Sequence, residues 1–336
     1  MRLALRIHAA GPGVTLQDDG RRGYLRFGVS EAGPMDRLAH ATANLAVGAS
    51  SDAAAIEVSL GGVELEAEGG ALAVAVAGGR FAIAHNGRTL PPTALVPLVP
   101  GERLSIRPGA AGAWCYVAVS GVLQVPSVLG SVSTHTRTAI GGLGGRTLAA
   151  GDVLQVAQAR TIAGGGAEIV APWLDRSADV IRVLLGPQDD YFGNDQIAAF
   201  LAGPWTVSPR SDRMAYLLDG PRLTHSKGFN VVSDGIALGA IQVPGEGRPV
   251  VLMADRQPTG GYPKIATVIG PDLGRLAQLR AGAGFRFAAV SWEEAVAVRN
   301  LEADALVTPA LEPLVRREFP SEFLLGHNLI DGVTSD

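Results

Sequence analysis

Short apolar alternations, each cut off by glycine or proline, recur along most of this chain, and they leave little room for a fold that is not β-rich. Strand-like runs fall at residues 62–66, 71–76, 81–84, 103–107, 113–119, 153–157, 180–185, 250–253 and 284–290. A turn-plus-strand unit recurs at residues 100–106, 150–156 and 281–287, where Gly101, Gly151 and Gly282 each feed an apolar alternation, as barrel hairpins require. This is local recurrence rather than a solenoid period. Helical patterns are few. Residues 36–47 place Leu38, Ala41 and Leu45 on one face with Gly48 just past the end. Residues 194–201 form a short helix with Asn194 as its cap, and Ser291 with Glu294 makes a capping box that opens a helix to about residue 306. Glycine-rich residues 161–167 and the Pro172 region read as a linker. The expectation is a mainly β chain of two packed β-barrel subdomains with a few covering helices: residues 1–175, residues 176–305 and a C-terminal tail of residues 306–336.

Composition narrows the function classes. With 47% hydrophobic and 18% charged residues the chain has a globular profile, and its 44 glycines and 21 prolines fit many turns. A net charge of −4 offers no electrostatic case for nucleic acid or an anionic membrane surface. No apolar stretch approaches the roughly 18 residues of a membrane span, and the N-terminus alternates without a signal-peptide core, so a cytoplasmic protein is expected. Cys115 is the single cysteine, which excludes an internal disulfide, and its apolar strand context reads as a buried thiol rather than a nucleophile.

The polar residues are clustered. After an apolar run broken only by Gln242 and the turn at 244–249, the segment 255–266 packs Asp255, Arg256, Gln257, Thr259, Gly260, Gly261, Tyr262 and Lys264 around two prolines, Pro258 and Pro263. Prolines stiffen the loop, and paired glycines serve a positive φ or a close approach. The chain has two lysines, Lys227 and Lys264, among 28 basic residues, so a lysine inside this loop marks a place for a compact ammonium. Residues 17–36 hold Gln17, Asp18 and Arg21 on glycine-rich turns, either a solvated turn with a helix start at Asp36 or groups aimed into a shared cleft. Asp212 and Arg213 precede an apolar strand at 214–218, as a surface pair or with one of them at the barrel mouth. Ser233-Asp234-Gly235 is a turn before a strand at 236–243, within which Gln242 is a buried amide in need of partners. Residues 141–146 resemble a phosphate loop only superficially, with no lysine followed by serine or threonine, and read as a turn or lid. The six histidines lack metal-ligand spacing, so no metal site is expected, and there is no Gly-x-Ser-x-Gly elbow. His135 reads either as a ligand-binding group or as part of an ordinary polar loop.

Residues 17–36, 211–214, 233–235, 239–245 and 255–266 carry, in that order, the motifs of a known family. The chain resembles the C subunit of bacterial 5-oxoprolinase, a family also described as biotin-dependent carboxyltransferase proteins, allophanate hydrolase subunit 2 and antagonists of the Kip kinase inhibitor. The resemblance implies two β-barrel subdomains, the second cyclophilin-like, and a protein that is not active alone. It further implies pairing with the B subunit of 5-oxoprolinase and, once the A subunit joins them, ATP-dependent hydrolysis of the lactam 5-oxoproline to glutamate, with Mg accompanying the ATP. On that reading Asp255, Arg256, Lys264, Asp212 and Arg213 are catalytic candidates. The cations would meet phosphoryl charge and the carboxylates would orient the amide. Gln257, Thr259, Gly260, Gly261, Tyr262, Gln242, Gln17, Asp18 and Arg21 would line the substrate site. A related module in urea carboxylase implies the alternative of a biotin-dependent carboxyltransferase half, although this chain has no Met-Lys-Met biotin site of its own. The urea branch lacks the Arg-Gln pair and the lysine of the loop and carries asparagine near the position of Asp212, so Arg256, Gln257, Lys264 and Asp212 favour the stand-alone group. Ala215, where glycine is common, is a departure of little consequence. A regulatory binding protein is the third reading, and it would need no catalytic loop.

Overall fold

The computed structural model describes residues 3–160 and 165–314. Alternation decides how its first unit is layered. One seven-stranded antiparallel sheet takes, in spatial order, Val122–Leu123, Val153–Ala157, Ala4–Ala10, Val63–Glu68, Arg103–Arg107, Ala82–His85 and Arg88–Leu90. A second takes Thr15–Gln17, Ala55–Val58, Cys115–Val119, Leu72–Gly78, Ala94–Leu98, Ala167–Val170 and Ala310–Pro313. In Leu72–Gly78 the valines Val74 and Val76 face the first sheet, beside Ile56, Val117, Leu65 and Ile106. The intervening Ala73, Ala75 and Ala77 belong to a different core, with Ala39, Ala43 and Ala46 of helix α1 (Arg37–Ala46). Alternating side chains point to opposite faces, so one strand builds two cores. Small residues on both sides of the second core let α1 lie close to the sheet.

The second unit is a closed seven-stranded barrel of Val180–Leu185, Lys264–Val268, Ala240–Gln242, Val250–Leu252, Ala215–Asp219, Trp205–Val207 and Gly284–Ala289. Closure comes from the parallel pairing of Val180–Leu185 with Gly284–Ala289. Its interior is plugged by aromatics: Phe200 of α2 (Asn194–Ala202) stacks on Phe287 at 4.6 Å between ring centroids, and the Trp205 indole donates to the Phe200 carbonyl at 2.7 Å. The core that covers α1 runs without a break into this interior, so the two units share one apolar core. The mainly β class expected from the sequence holds, with four helices among the described residues. None of the described helices is long and apolar enough to cross a membrane.

Several local expectations change. The strand expected at 236–243 is confined to Ala240–Gln242, because the chain turns at Gly239 with φ +83°. Helix α2 is capped by Gly193, which leaves Asn194 inside its first turn. Of the expected linker, residues 161–164 lie outside the described residues, and Ala167–Val170 is a sheet strand. Ala310–Pro313, read as tail, pairs with that strand, while residues 315–336 lie outside the description. In α1 Leu45 is half-buried whereas Ala39, His40, Ala43 and Asn44 are buried, because sheet and barrel cover the helix from two sides. The capping box of Ser291 and Glu294 forms as expected at the start of α4 (Trp292–Ala305).

Helix α3 (Gly270–Ala277) is pinned to the barrel by Asp272, whose side chain is fully buried. Its carboxylate accepts from the Arg182 backbone at 2.7 Å and from that residue's Nε at 3.0 Å and Nη2 at 2.7 Å, and Arg275 Nη1 lies 2.8 Å away. Burial works against the charge, but the hydrogen bonds from Arg182 and Arg275 outweigh it and hold the carboxyl below its ordinary value. A depressed folded pKa gives stability that is fully present above the unfolded value near 4 and lost as pH falls through the folded value. Asp272→Asn should therefore lower unfolding free energy at pH 7 by roughly 3 kcal/mol. Urea unfolding across a pH series should show the gap from the parent closing only below about pH 4.

Candidate active site at the junction of the two units

Residues 211–213 turn sharply before the strand Ala215–Asp219, and the turn separates two neighbours that look equivalent in sequence. Asp212 faces out. Its side chain is about half exposed, caps the Met214 and Ala215 backbone N–H groups at 2.8 and 3.2 Å, and takes Arg137 Nη2 at 3.0 Å. Arg213 faces in and is 8% exposed. Its Nε and Nη2 fork onto Asp255 at 2.9 and 2.8 Å, its Nη2 also donates to the Gly33 carbonyl at 2.7 Å, and its Nη1 donates to Glu57. Gly33 sits at φ +90°, a conformation glycine adopts without strain, and this aims its carbonyl at the guanidinium. Glu57 lies on the buried strand Ala55–Val58, directly opposite Tyr116 in the sheet. It also accepts from the Met35 N–H and the Tyr116 hydroxyl, both at 2.8 Å.

Burial works against charge on Arg213, yet the Asp255 and Glu57 carboxylates hold it well above its ordinary value. Burial pushes Glu57 up, opposed by Arg213. Arg213 was expected to meet an anionic ligand group. Each of its three nitrogens is instead bonded within the protein, and with Asp255 it forms the floor of the candidate site.

The rest of the loop departs from that floor. Arg256 is 2% exposed, donates from Nε to the Ile236 carbonyl at 3.0 Å and from Nη2 to Glu31 at 3.1 Å, and leaves Nη1 without a partner among the described residues. Burial lowers its guanidinium pKa against the opposing pull of Glu31. Gln242 is 3% exposed and its Nε2 is likewise unpartnered among the described residues. Lys264 is 3% exposed, with Asp234 Oδ2 at 3.3 Å from its ammonium. Thr259 and Gly260 pair with Gly235 and Asp234 in a two-residue ladder, which leaves Thr259 exposed, and Tyr262 is 41% exposed. Gln257 is half-buried. Neither Gly260 nor Gly261 has a positive φ; at Gly260 the need is close approach, since a Cβ there would lie 2.6 Å from Gln242 Nε2.

The N-terminal candidates turn out to be scaffold. Gln17 is fully buried and uses both ends of its amide, on Thr15 Oγ1, the Thr134 carbonyl and the Gly33 N–H. The Asp18 carboxylate accepts from the Ser131 and Ser133 hydroxyls and from the Val132 and Gly20 N–H groups. Burial opposes that charge, and the hydrogen bonds outweigh it and lower the pKa. Arg21, fully buried, holds the carbonyls of Val128 and Ser133 at 2.9 and 2.8 Å. These three therefore clamp residues 128–135 onto the sheet, and that segment reaches the polar loop through His135, whose Nε2 lies 3.3 Å from the Asp255 carbonyl. Residues 141–146 form a turn closed by a bridge between Leu143 and Arg146, and Arg146 is paired to Asp152, so the turn presents no free phosphate cradle. Cys115 is buried and its thiol pKa is pushed well up by burial, as expected of a strand thiol.

Sequence reasoning missed Glu57, Glu31 and His135 as members of this network. The available signal for Glu57 was a lone carboxylate within an otherwise apolar strand run, since a buried charge needs a partner.

Against known proteins, residues 27–289 match the model of the carboxyltransferase domain, subdomain A and B. The chain is 38% identical over 288 residues to the 5-oxoprolinase C subunit of Haemophilus influenzae, covering 85% of this chain and 91% of that protein. It is 37% identical over 305 residues to the 5-oxoprolinase C subunit of Escherichia coli, covering 88% and 94%. The crystal structure of the K. lactis urea amidolyase superposes with a TM-score of 0.83 at 28% identity, over 90% of this chain but only 20% of that one. With a model match over most of its length and two relatives of 37 and 38% identity covered nearly end to end, the chain belongs to the family of the carboxyltransferase domain, subdomain A and B.

Proposed function

We propose that this chain is one component of an ATP-dependent 5-oxoprolinase that cleaves 5-oxo-L-proline to L-glutamate together with the A and B subunits of that enzyme, and is inactive alone. The observation that carries this reading is the near end-to-end likeness to two proteins named as 5-oxoprolinase C subunits, at 37 and 38% identity, whereas the urea amidolyase match covers a fifth of a much longer chain. Arg256, Gln257 and Lys264 in the loop support it, since the resemblance implies that the urea branch lacks them.

In this reading the Arg213–Asp255 fork fixes the loop so that Arg256 and Lys264 meet the lactam in one geometry. Arg146 is tied to Asp152 and the turn at 141–146 has no helix to follow it, so these residues do not fit a nucleotide. ATP and its Mg then belong to the assembled complex, and no step of this chain is routed through them. A second reading, a carboxyltransferase half acting with a biotinylated carrier, is favoured by the superposition on urea amidolyase.

Reconstitution with the two partner subunits tests both. The complex should hydrolyse ATP in response to 5-oxoproline and not urea, and Arg256→Ala or Asp255→Asn should lower that rate on the order of 10²-fold. Unchanged rates in both variants would remove the loop from the reaction, and carboxylation of urea with a biotinylated carrier would favour the second reading. Glu57 touches no ligand in this scheme and acts by positioning Arg213. Glu57→Gln should lower kcat about tenfold with little change in KM, and a fall in thermal stability without a kcat effect would reduce Glu57 to a structural role.

A further inference from the structure

We propose that Arg256, Gln242 and Lys264 form a subsite for the carboxylate of a small organic acid, on the barrel face where residues 234–236 meet Gly260. The inference rests on the proposed reaction only in that 5-oxoproline is an acid of this kind. It is drawn from donors that the fold buries and then leaves without acceptors. The Arg256 and Lys264 side chains are each 3% exposed and Gln242 is 3% exposed, yet Arg256 Nη1 and Gln242 Nε2 have no partner among the described residues. The Lys264 ammonium has three donors and is met at 3.3 Å by Asp234, whose side chain is 63% exposed. Buried polar groups are nearly always satisfied, so neighbouring unmet donors call for an acceptor supplied from outside the chain.

The groups converge through shared backbone. Gln242 and Lys264 stand opposite each other in the barrel ladder, which puts their side chains on one face. Gly260 lies against the Gln242 amide and pairs with Asp234, the residue that meets Lys264. Arg256 grips the carbonyl of Ile236, two residues further on. All three contributions are donors, two of them cationic, which suits an oxyanion. Glu31 and Asp234 already offset the charges of Arg256 and Lys264 at the rim. A singly charged planar carboxylate therefore fits the balance better than a dianionic phosphate. Glycine at 260 leaves the amide its place, because a methyl group there would drive Gln242 aside.

Isothermal titration of the full chain, and of the complex with its partner subunits, tests this with 5-oxoproline, acetate, 5-oxoprolinamide and inorganic phosphate as probes. The acids should bind, the amide should bind at least tenfold more weakly than 5-oxoproline, and phosphate more weakly than either acid. Gln242→Leu and Lys264→Met should each weaken the acids at least tenfold without altering the weak affinity for the amide. Gly260→Ala should do the same, and serves if either of the others fails to fold by circular dichroism. Equal affinity for acid and amide, tighter binding of phosphate, unaffected variants, or no acid bound by either chain or complex would each overturn the subsite. Acids that bind in this pattern to a complex that does not cleave 5-oxoproline would uphold the subsite and overturn the proposed reaction.

Discussion

The guanidinium of Arg213 leaves the barrel and ends inside the first unit, where Glu57 and the Gly33 carbonyl receive it while Asp255 holds its other edge. Burying a cation with two carboxylates is costly, and such clusters add little net stability over apolar packing. Their effect lies in the asymmetry: with an acceptor at each nitrogen the arrangement is tolerated, and any shift of one unit against the other strands a charge in an apolar core. Arg213 therefore sets the register between the units. Tyr116 extends the constraint, since its hydroxyl donates to Glu57 and accepts from the Asp36 N–H at the start of α1.

Further polar ties surround the shared core. Gln278, just past α3, accepts from the Ala113 and Trp114 N–H groups and donates to Asp36 and the Trp114 carbonyl. Asp36 in turn receives Arg176 at 3.0 and 2.8 Å. Tyr216 accepts from the Trp114 indole and donates to the Ala277 carbonyl. These bonds join the first unit to the barrel at several points, and sliding would break them together. A loop rooted in such a junction is held at both ends, so Arg256 and Lys264 stand on backbone that cannot drift far.

Strand positions were readable because side-chain alternation is a local property. Residues 103–107, 153–157 and 180–185 were assigned with the bounds the structure shows. Strand order was not readable, because the pairing of Ala167–Val170 with Ala310–Pro313 spans the whole of the barrel's sequence and nothing local announces it. The polar clusters were found, but their division of labour was hidden. Asp18 and Arg21 look like cleft residues on glycine-rich turns, and in the fold they grip residues 128–133. Composition cannot tell a side chain whose partners lie more than a hundred residues away from one that waits for a ligand.

Partner satisfaction makes that distinction where residue type does not. Arg213 and Arg256 are both buried arginines beside the same loop, and both were read as anion-binding. One has an acceptor for each of its three nitrogens and is part of the frame; the other keeps Nη1 open. Gln17 and Gln242 divide in the same way, the first bonded at both ends of its amide and the second with Nε2 unmet. An unmet donor inside a packed core is a standing cost that selection for stability alone would remove by an apolar replacement of similar size. Arg21 Nη1 is unmet as well, but the other nitrogens of that guanidinium hold three carbonyls of one loop, so it reads as the remainder of a structural clamp. Gln242 instead faces Lys264 across the barrel ladder and lies against Gly260, whose missing Cβ leaves its amide room, while Arg256 is bonded to the nearby Ile236 carbonyl, and it is this grouping that the proposed subsite rests on.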